Sequence, residues 1–346
     1  MQETKVITVP SEPQAGPSAV WTRRWVGTLH SNLIWLCLVD LLMCAGMTAG
    51  APSLFWSAAN FNSMAVQFPG YGILALAMVL PMITGGIDLS IIGLSNLAAI
   101  IAAFVMQSLA GPAASGVSVF LVVALAVATA LAAGALAGAL NAFVISRIGV
   151  SPILATLGTG LVFSGLAIAM TNGTAIFGFP QAFTWIGDGQ VIGLPAPVVV
   201  FALIALALSL TLSRTAFGAR AYLLGTNAVA ARYAGIDVRK VILRTYVTSA
   251  LCAVAAGLII SARANSAKAD YGAAYLLLAI LICVLGGVSP VGGSGRIVGV
   301  VLAVVTLQIM STSLNLLGVS NFAAELVWGA VLIFTMAVSR VERGKQ

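Results

Sequence analysis

After residue 31 the chain alternates between long apolar runs and short polar stretches rich in glycine. The runs are close to the roughly 20 helical residues needed to cross a hydrocarbon core about 30 Å thick. A stretch such as VSVFLVVALAVATALAAGALAGAL (117–140) is apolar on every face. Barrel strands would alternate apolar and polar positions, so the pattern reads as spanning helices. It predicts spans near 32–50, 64–83, 89–110, 117–146, 153–171, 191–213, 241–261, 274–288, 297–316 and 322–338. The expected fold is all-α, a polytopic membrane protein of about ten transmembrane helices. The fourth run is long enough to tilt or carry a turn outside lipid, and the eighth is short and ends in Gly286-Gly287, which suggests broken helices.

The first 31 residues are polar, contain Pro10, Pro13 and Pro17, and end in Arg23 and Arg24 before the first apolar run. No small-residue cleavage site follows closely, so the reading is a disordered cytoplasmic tail (1–31) ahead of a retained span. The transmembrane domain then covers 32–340, with a short cytoplasmic tail over 341–346. If the N-terminus is cytoplasmic, Lys5, Arg23, Arg24, Arg147, Arg214, Arg220, Arg232, Arg239, Lys240, Arg244, Arg296, Arg340, Arg343 and Lys345 all fall inside, and only Arg263 and Lys268 fall outside. That bias follows the positive-inside rule and supports an even span count with both termini cytoplasmic.

Composition agrees. The chain is 60% hydrophobic, and its 16 basic and 9 acidic residues give a net charge of +7. Those basic residues are scattered through loops between apolar spans, which points to membrane topology and away from nucleic acid. Thirty-six glycines suit helices that pack closely through small residues, because lipid supplies no hydrophobic drive between them. Cys37, Cys44, Cys252 and Cys283 lie in apolar runs without a CxxC spacing and read as small core residues. The sole histidine, His30, leaves no histidine cluster for a metal or a serine triad, so catalysis on this chain is not expected.

Several polar positions interrupt the apolar background. TGGIDLS (84–90) places Gly85, Gly86, Asp88 and Ser90 at a span junction. Asp88 can cap the following helix while the glycines permit the turn, or the break can line a path, since irregular backbone at membrane depth survives only inside protein or along a cavity. Both readings stand together. Asp40 and Glu325 fall within spans and read as structural. LGGVSPVGGSGR (285–296) lacks the lysine and hydroxyl of a phosphate-binding GxxxxGK[ST] loop and reads as a tight turn. MVLPMITGGIDLSIIG (78–93) and ICVLGGVSPVGGSGRIVG (282–299) echo one another as helix, glycine pair and helix.

The longest polar loop holds six basic residues between Arg214 and Arg244, with Asp237 its single acid. Topology explains the charge. It does not explain Asn227-Ala-Val-Ala-Ala-Arg-Tyr-Ala-Gly235, which reads as a helix of two turns, capped by Asn227 and stopped by Gly235. So short a helix is unstable alone and needs a docking partner, either another protein or its own bundle.

GTNAVAARYAGIDVRK (225–240) resembles the cytoplasmic loop of the ribose-type permease subunits of bacterial ATP-binding-cassette sugar importers. TGGIDLSIIGLSNLAAIIAA (84–103), LNAFVISRIGVSPILATLGT (140–159) and LGGVSPVGGSGRIVG (285–299) resemble that family's other signatures, in the same order, over about residues 70–340. The resemblance implies a multi-pass permease of the bacterial inner membrane that imports a pentose, hexose or polyol. It also implies a second permease copy or paralogue, a cytoplasmic ATPase carrying ATP and Mg, and an external solute-binding protein. No cofactor is expected on this chain. Thr226, Asn227, Ala230, Ala231, Arg232, Gly235, Ile236 and Lys240 would belong to the helix that couples to the ATPase. Gly85, Gly86, Asp88, Ser90, Asn141, Thr156 and Thr159 would form the translocation path or the helix break. The segment after Tyr271 lacks an acidic residue common in such permeases, which leaves the solute open. The alternative is a proton-coupled transporter of a small polar solute, using Asp40, Asp88 and Glu325.

Overall fold

A computed structural model of the protein describes residues 17–109, 116–320, 323, 326–331 and 333. The helices are α1 (Pro17–Gly50), α2 (Pro52–Phe55), α3 (Ala58–Ile83), α4 (Ile91–Leu109), α5 (Val117–Phe143), α6 (Pro152–Thr171) and α7 (Gln181–Asp188). They continue as α8 (Ala196–Arg214), α9 (Ala216–Thr226), α10 (Ala228–Tyr233), α11 (Val238–Ala264), α12 (Tyr275–Leu285) and α13 (Ile297–Leu316). Among the described residues, eight helical segments are long and apolar enough to span a bilayer, one within each of α1, α3, α4, α6, α8, α11 and α13, and one formed by α5 with its extension. They coincide with the first seven expected spans and the ninth. The protein is an all-α, multi-pass membrane protein.

Two expected irregularities are present in the structure, and one boundary differs. The eighth span is helical only over the eleven residues of α12, about 16 Å of rise, before the chain turns at Gly286-Gly287. The fourth ends in a π-helical turn, Val144–Ile148, which Gly149 closes at φ +86°. The first helix begins at Pro17, a residue suited to a helix start, so part of the expected tail is helical. The tenth expected span is described only at residues 323, 326–331 and 333, which are helical, and Glu325 lies outside the described residues. Four two-residue strands were also not foreseen: β1 (Ile176–Phe177) pairs antiparallel with β4 (Ser266–Ala267), and β2 (Gln190–Val191) with β3 (Leu194–Pro195).

Burial sorts the helices. The spanning windows of α3, α11 and α4 are 83%, 72% and 67% buried, against 11% for α1 and 28% for α6. α11 packs on α3, α4 and α5 and forms the centre of the bundle, while the apolar outer faces of α1, α5 and α6 are left for lipid. Cys252 and Cys283 sit in the core as expected, whereas Cys37 is exposed on α1. Asp40 approaches Thr306 of α13, and among the described residues its Oδ1 is buried without a hydrogen-bond partner.

Candidate functional site

The arginine-rich loop folds as three consecutive helices. The Thr215 side chain accepts the Gly218 N–H (3.2 Å) at the start of α9. Asn227 Oδ1 accepts the Val229 and Ala230 N–H groups (2.9 and 3.0 Å) and caps α10. α10 ends in a Schellman motif. The Ile236 N–H reaches the Ala231 carbonyl (3.1 Å) and the Gly235 N–H reaches the Arg232 carbonyl (3.0 Å), with Gly235 at φ +76°. Asp237 then caps α11 by accepting the Lys240 N–H (3.2 Å). This bond and the Lys240 ammonium hold its carboxyl below the usual carboxylate range. Thr226 Oγ1 turns back to the Tyr222 carbonyl (2.9 Å).

Burial gives α10 two faces. Ala231 is 3% exposed and joins Ile236 against the bundle core. Val229 and Tyr233 are 62% and 90% exposed, and Ala230 and Arg232 are exposed beside them. The short helix therefore docks on its own chain through one alanine and presents the opposite face outward. Ala231, one of the residues expected to couple to the ATPase, stands on the inner side of the helix, away from its exposed face.

Just below this loop three glycine segments meet. A Cβ on Gly225 would collide with the Ile83 carbonyl, and one on Gly292 would lie 2.7 Å from the Gly225 carbonyl and 2.9 Å from Gly85 Cα. The Gly293 N–H donates to the Ile83 carbonyl (2.9 Å), an acceptor the end of α3 leaves unused. The end of α9, the α3–α4 break and the late glycine loop are thus in direct backbone contact. The amides of Gly292 and Gly293 are already engaged, by the Ser289 and Ile83 carbonyls, which does not fit a phosphate cradle.

The α3–α4 break is itself built on a Schellman motif, with the Gly86 N–H on the Pro81 carbonyl (2.9 Å), the Gly85 N–H on the Met82 carbonyl (3.0 Å) and Gly85 at φ +85°. α12 ends the same way, through Val288 to Cys283 (2.8 Å) and Gly287 to Val284 (3.0 Å). The two echoing sequences thus share a local geometry.

Beyond the glycines a hydrogen-bonded chain clasps the break. Thr159 Oγ1 donates to Asn141 Oδ1 (2.6 Å), Asn141 Nδ2 to Ser90 Oγ (2.8 Å), and Ser90 Oγ to Asp88 Oδ1 (2.6 Å). Asp88 Oδ1 also accepts the Ser90 N–H (3.0 Å), and Asp88 Oδ2 accepts Ser249 Oγ–H from α11 (2.9 Å). Thr156 Oγ1 accepts the Leu89 N–H (3.0 Å) and lies 3.0 Å from the Ile87 carbonyl. Asp88, Ser90, Asn141, Thr156 and Ser249 are at most 1% exposed. These residues form a sealed clasp around the α3–α4 junction. Two neighbours on α11, Thr245 and Tyr246, bury hydroxyls without a partner among the described residues, and the Tyr246 hydroxyl lies against Gly86.

At the opposite end of the bundle a polar cavity of about 470 Å³ opens between α3, α12 and α13. Tyr71 Oη donates to Gln308 Oε1 (2.6 Å) at its base, and Gln308 Nε2 donates to Thr312 Oγ1 (3.1 Å). Sequence reading missed this group, as it missed Ser249 and Tyr246. A glutamine midway along the apolar run 297–316 was the available signal.

The protein is thus a multi-pass helical bundle in which a buried hydrogen-bonded clasp holds the α3–α4 junction and a short loop helix docks beside it. The chain belongs to the family described as "Branched-chain amino acid transport system / permease component", which matches residues 60–336. It is 37% identical over 283 residues to the ribose import permease protein RbsC of Bacillus subtilis, covering 81% of this chain and 84% of that one. The ribose import permease protein RbsC of Escherichia coli K12 is 34% identical over 320 residues, covering 90% and 96%. The autoinducer 2 import system permease protein LsrD of Photorhabdus luminescens is 33% identical over 271 residues, covering 77% and 78%. The protein is thus a permease subunit of the ATP-binding-cassette importer class.

Proposed function

We propose that this chain carries a sugar or sugar-like solute, a pentose, hexose or polyol, across the bacterial inner membrane into the cytoplasm. Hydrolysis of ATP on a separate cytoplasmic subunit drives the step, and an external binding protein delivers the solute to a pair of permeases. The observation that carries the reading is the continuous backbone contact from the docked helix α10, through Gly225, to the clasped break at Asp88. The outer face of α10, Val229 and Tyr233, receives the ATPase. Movement there has two routes inward, through α9 to the glycine junction and through Asp237 into α11, which holds Asp88 by Ser249. Both routes end on the same break, so a displacement of the loop reopens it. The similarity to permeases named for ribose and autoinducer 2 supports the solute class.

The test is uptake of radiolabelled ribose into proteoliposomes holding the permease, its ATPase and its binding protein. Uptake is expected to require ATP and to survive a protonophore. Uptake that persists without the ATPase, or that a protonophore abolishes while ATP is present, would favour the proton-coupled alternative.

A further inference from the structure

We propose that Thr245 and Tyr246 form a second seat for the Asp88 carboxylate, as positioning residues that hold the α3–α4 break once the loop has moved and the path has opened. The inference rests on the import function proposed above and adds the residues that hold its other state. Both hydroxyls lie in the centre of the bundle, on residues at most 1% exposed, and neither has a partner among the described residues. Burial also denies them water, so each hydroxyl weakens the closed form relative to any form that bonds it. A threonine in a helix can return its hydroxyl to the carbonyl four residues back, as Thr156 and Thr306 do, but Thr245 does not.

The unused donors sit where a displaced Asp88 would meet them. In the closed form Asp88 Oδ2 accepts Ser249 Oγ–H from α11 (2.9 Å). Thr245 precedes Ser249 by four residues and so shares its helix face, about 6 Å nearer the arginine-rich loop. Tyr246 stands next to it, with its hydroxyl against Gly86, where the break carries no side chain, and within electrostatic reach of the Asp88 carboxylate. Direction agrees as well. α11 starts at the loop, behind the Asp237 cap, so a push from α10 drives it along its axis away from the loop. That shift carries Thr245 toward the level Ser249 now holds, and packed helices can step by one turn in two-state transitions. The exchange of hydrogen bonds balances. Asp88 gives up the Ser249 hydroxyl and accepts those of Thr245 and Tyr246, while Ser90, two residues away, travels with it. The released Ser249 hydroxyl bonds the Thr245 carbonyl within its own helix. Closed and open forms then differ in which donors serve one carboxylate.

The experiment measures ATP-driven ribose uptake in proteoliposomes holding the permease, its ATPase and its binding protein, together with thermal unfolding of each permease variant in detergent. The double variant Thr245→Val, Tyr246→Phe removes both hydroxyls and keeps the shapes of the side chains. It is expected to lower the maximal uptake rate by about fivefold or more, as loss of a hydrogen bond in the open form does, with the ribose concentration at half-maximal rate unchanged. Its melting temperature is expected at or above that of wild type, because the closed form does not use either hydroxyl. Adding Ser249→Ala removes the competing donor of the closed form and is expected to raise the uptake rate of the double variant again, whereas independent structural damage would accumulate. Wild-type uptake by the double variant, or no recovery on adding Ser249→Ala, would overturn the second seat while leaving the import function standing. A double variant that melts well below wild type would overturn it too, by revealing partners for the hydroxyls in the closed form. Failure of the wild-type complex to import ribose or any other neutral sugar would instead count against the import function itself.

Discussion

The two ends of the α3–α11 core treat polar atoms in opposite ways. Near the arginine-rich loop, Asp88, Ser90, Asn141, Thr159 and Ser249 satisfy one another in a dry chain of hydrogen bonds, over a junction of glycines with no room for a side chain. At the far end, Tyr71, Gln308 and Trp328 surround open volume, and one of their donors has no partner. One end is closed by hydrogen bonds and glycine packing, although the Thr245 and Tyr246 hydroxyls find no partner there among the described residues, and the other encloses open volume. A transporter needs this asymmetry, because a path open at both ends would leak.

Substitutions at the closed end should have the largest effects. Asp88→Ala strands the Ser90 and Ser249 donors in the core and should cost about 3 kcal/mol, from the price of buried unsatisfied groups. Thermal unfolding in detergent measures it, and Asp88→Asn should recover part of the loss. Gly225→Ala pushes a methyl group into the Ile83 carbonyl and should cost about 2 kcal/mol, within the range for overpacking. A melting temperature equal to wild type would mean that the junction is loose. Tyr246→Phe probes the closed end by removing a polar atom that the clasp does not use. Its hydroxyl has no partner in this closed form, so its removal should change stability by less than about 0.5 kcal/mol. A large destabilisation would reveal a partner for the hydroxyl and contradict the clasp as described.

Much of the closed end was legible in the sequence, because local chemistry announces itself locally. Glycine pairs after apolar runs marked helix ends, Asp88 two residues before Ser90 marked a cap, and Asn227 with Gly235 bounded a short helix. What remained hidden was long-range pairing. Ser249 lies 161 positions from Asp88, and Gln308 lies 237 from Tyr71, so no spacing rule connects either pair. The orientation of α10 was equally out of reach. Its alanines look interchangeable in sequence, yet the cap and the Schellman closure turn Ala231 inward and leave Ala230 outside. A substitution at Ala231 would unseat the helix from its own bundle, so contact with an ATPase must be tested on the outer face.

In the proposed coupling, the exposed face of α10 receives the driving motion and passes it to the clasp. Its most direct test is ATP-driven ribose uptake by a Val229→Glu, Tyr233→Glu double variant, assembled with its partners and compared with wild type. Both side chains are exposed, so the variant should insert and melt like wild type, while the acidic pair disrupts the face offered to the ATPase. Loss of at least tenfold in the uptake rate with an unchanged melting temperature is expected. Wild-type uptake by a correctly folded variant would contradict it.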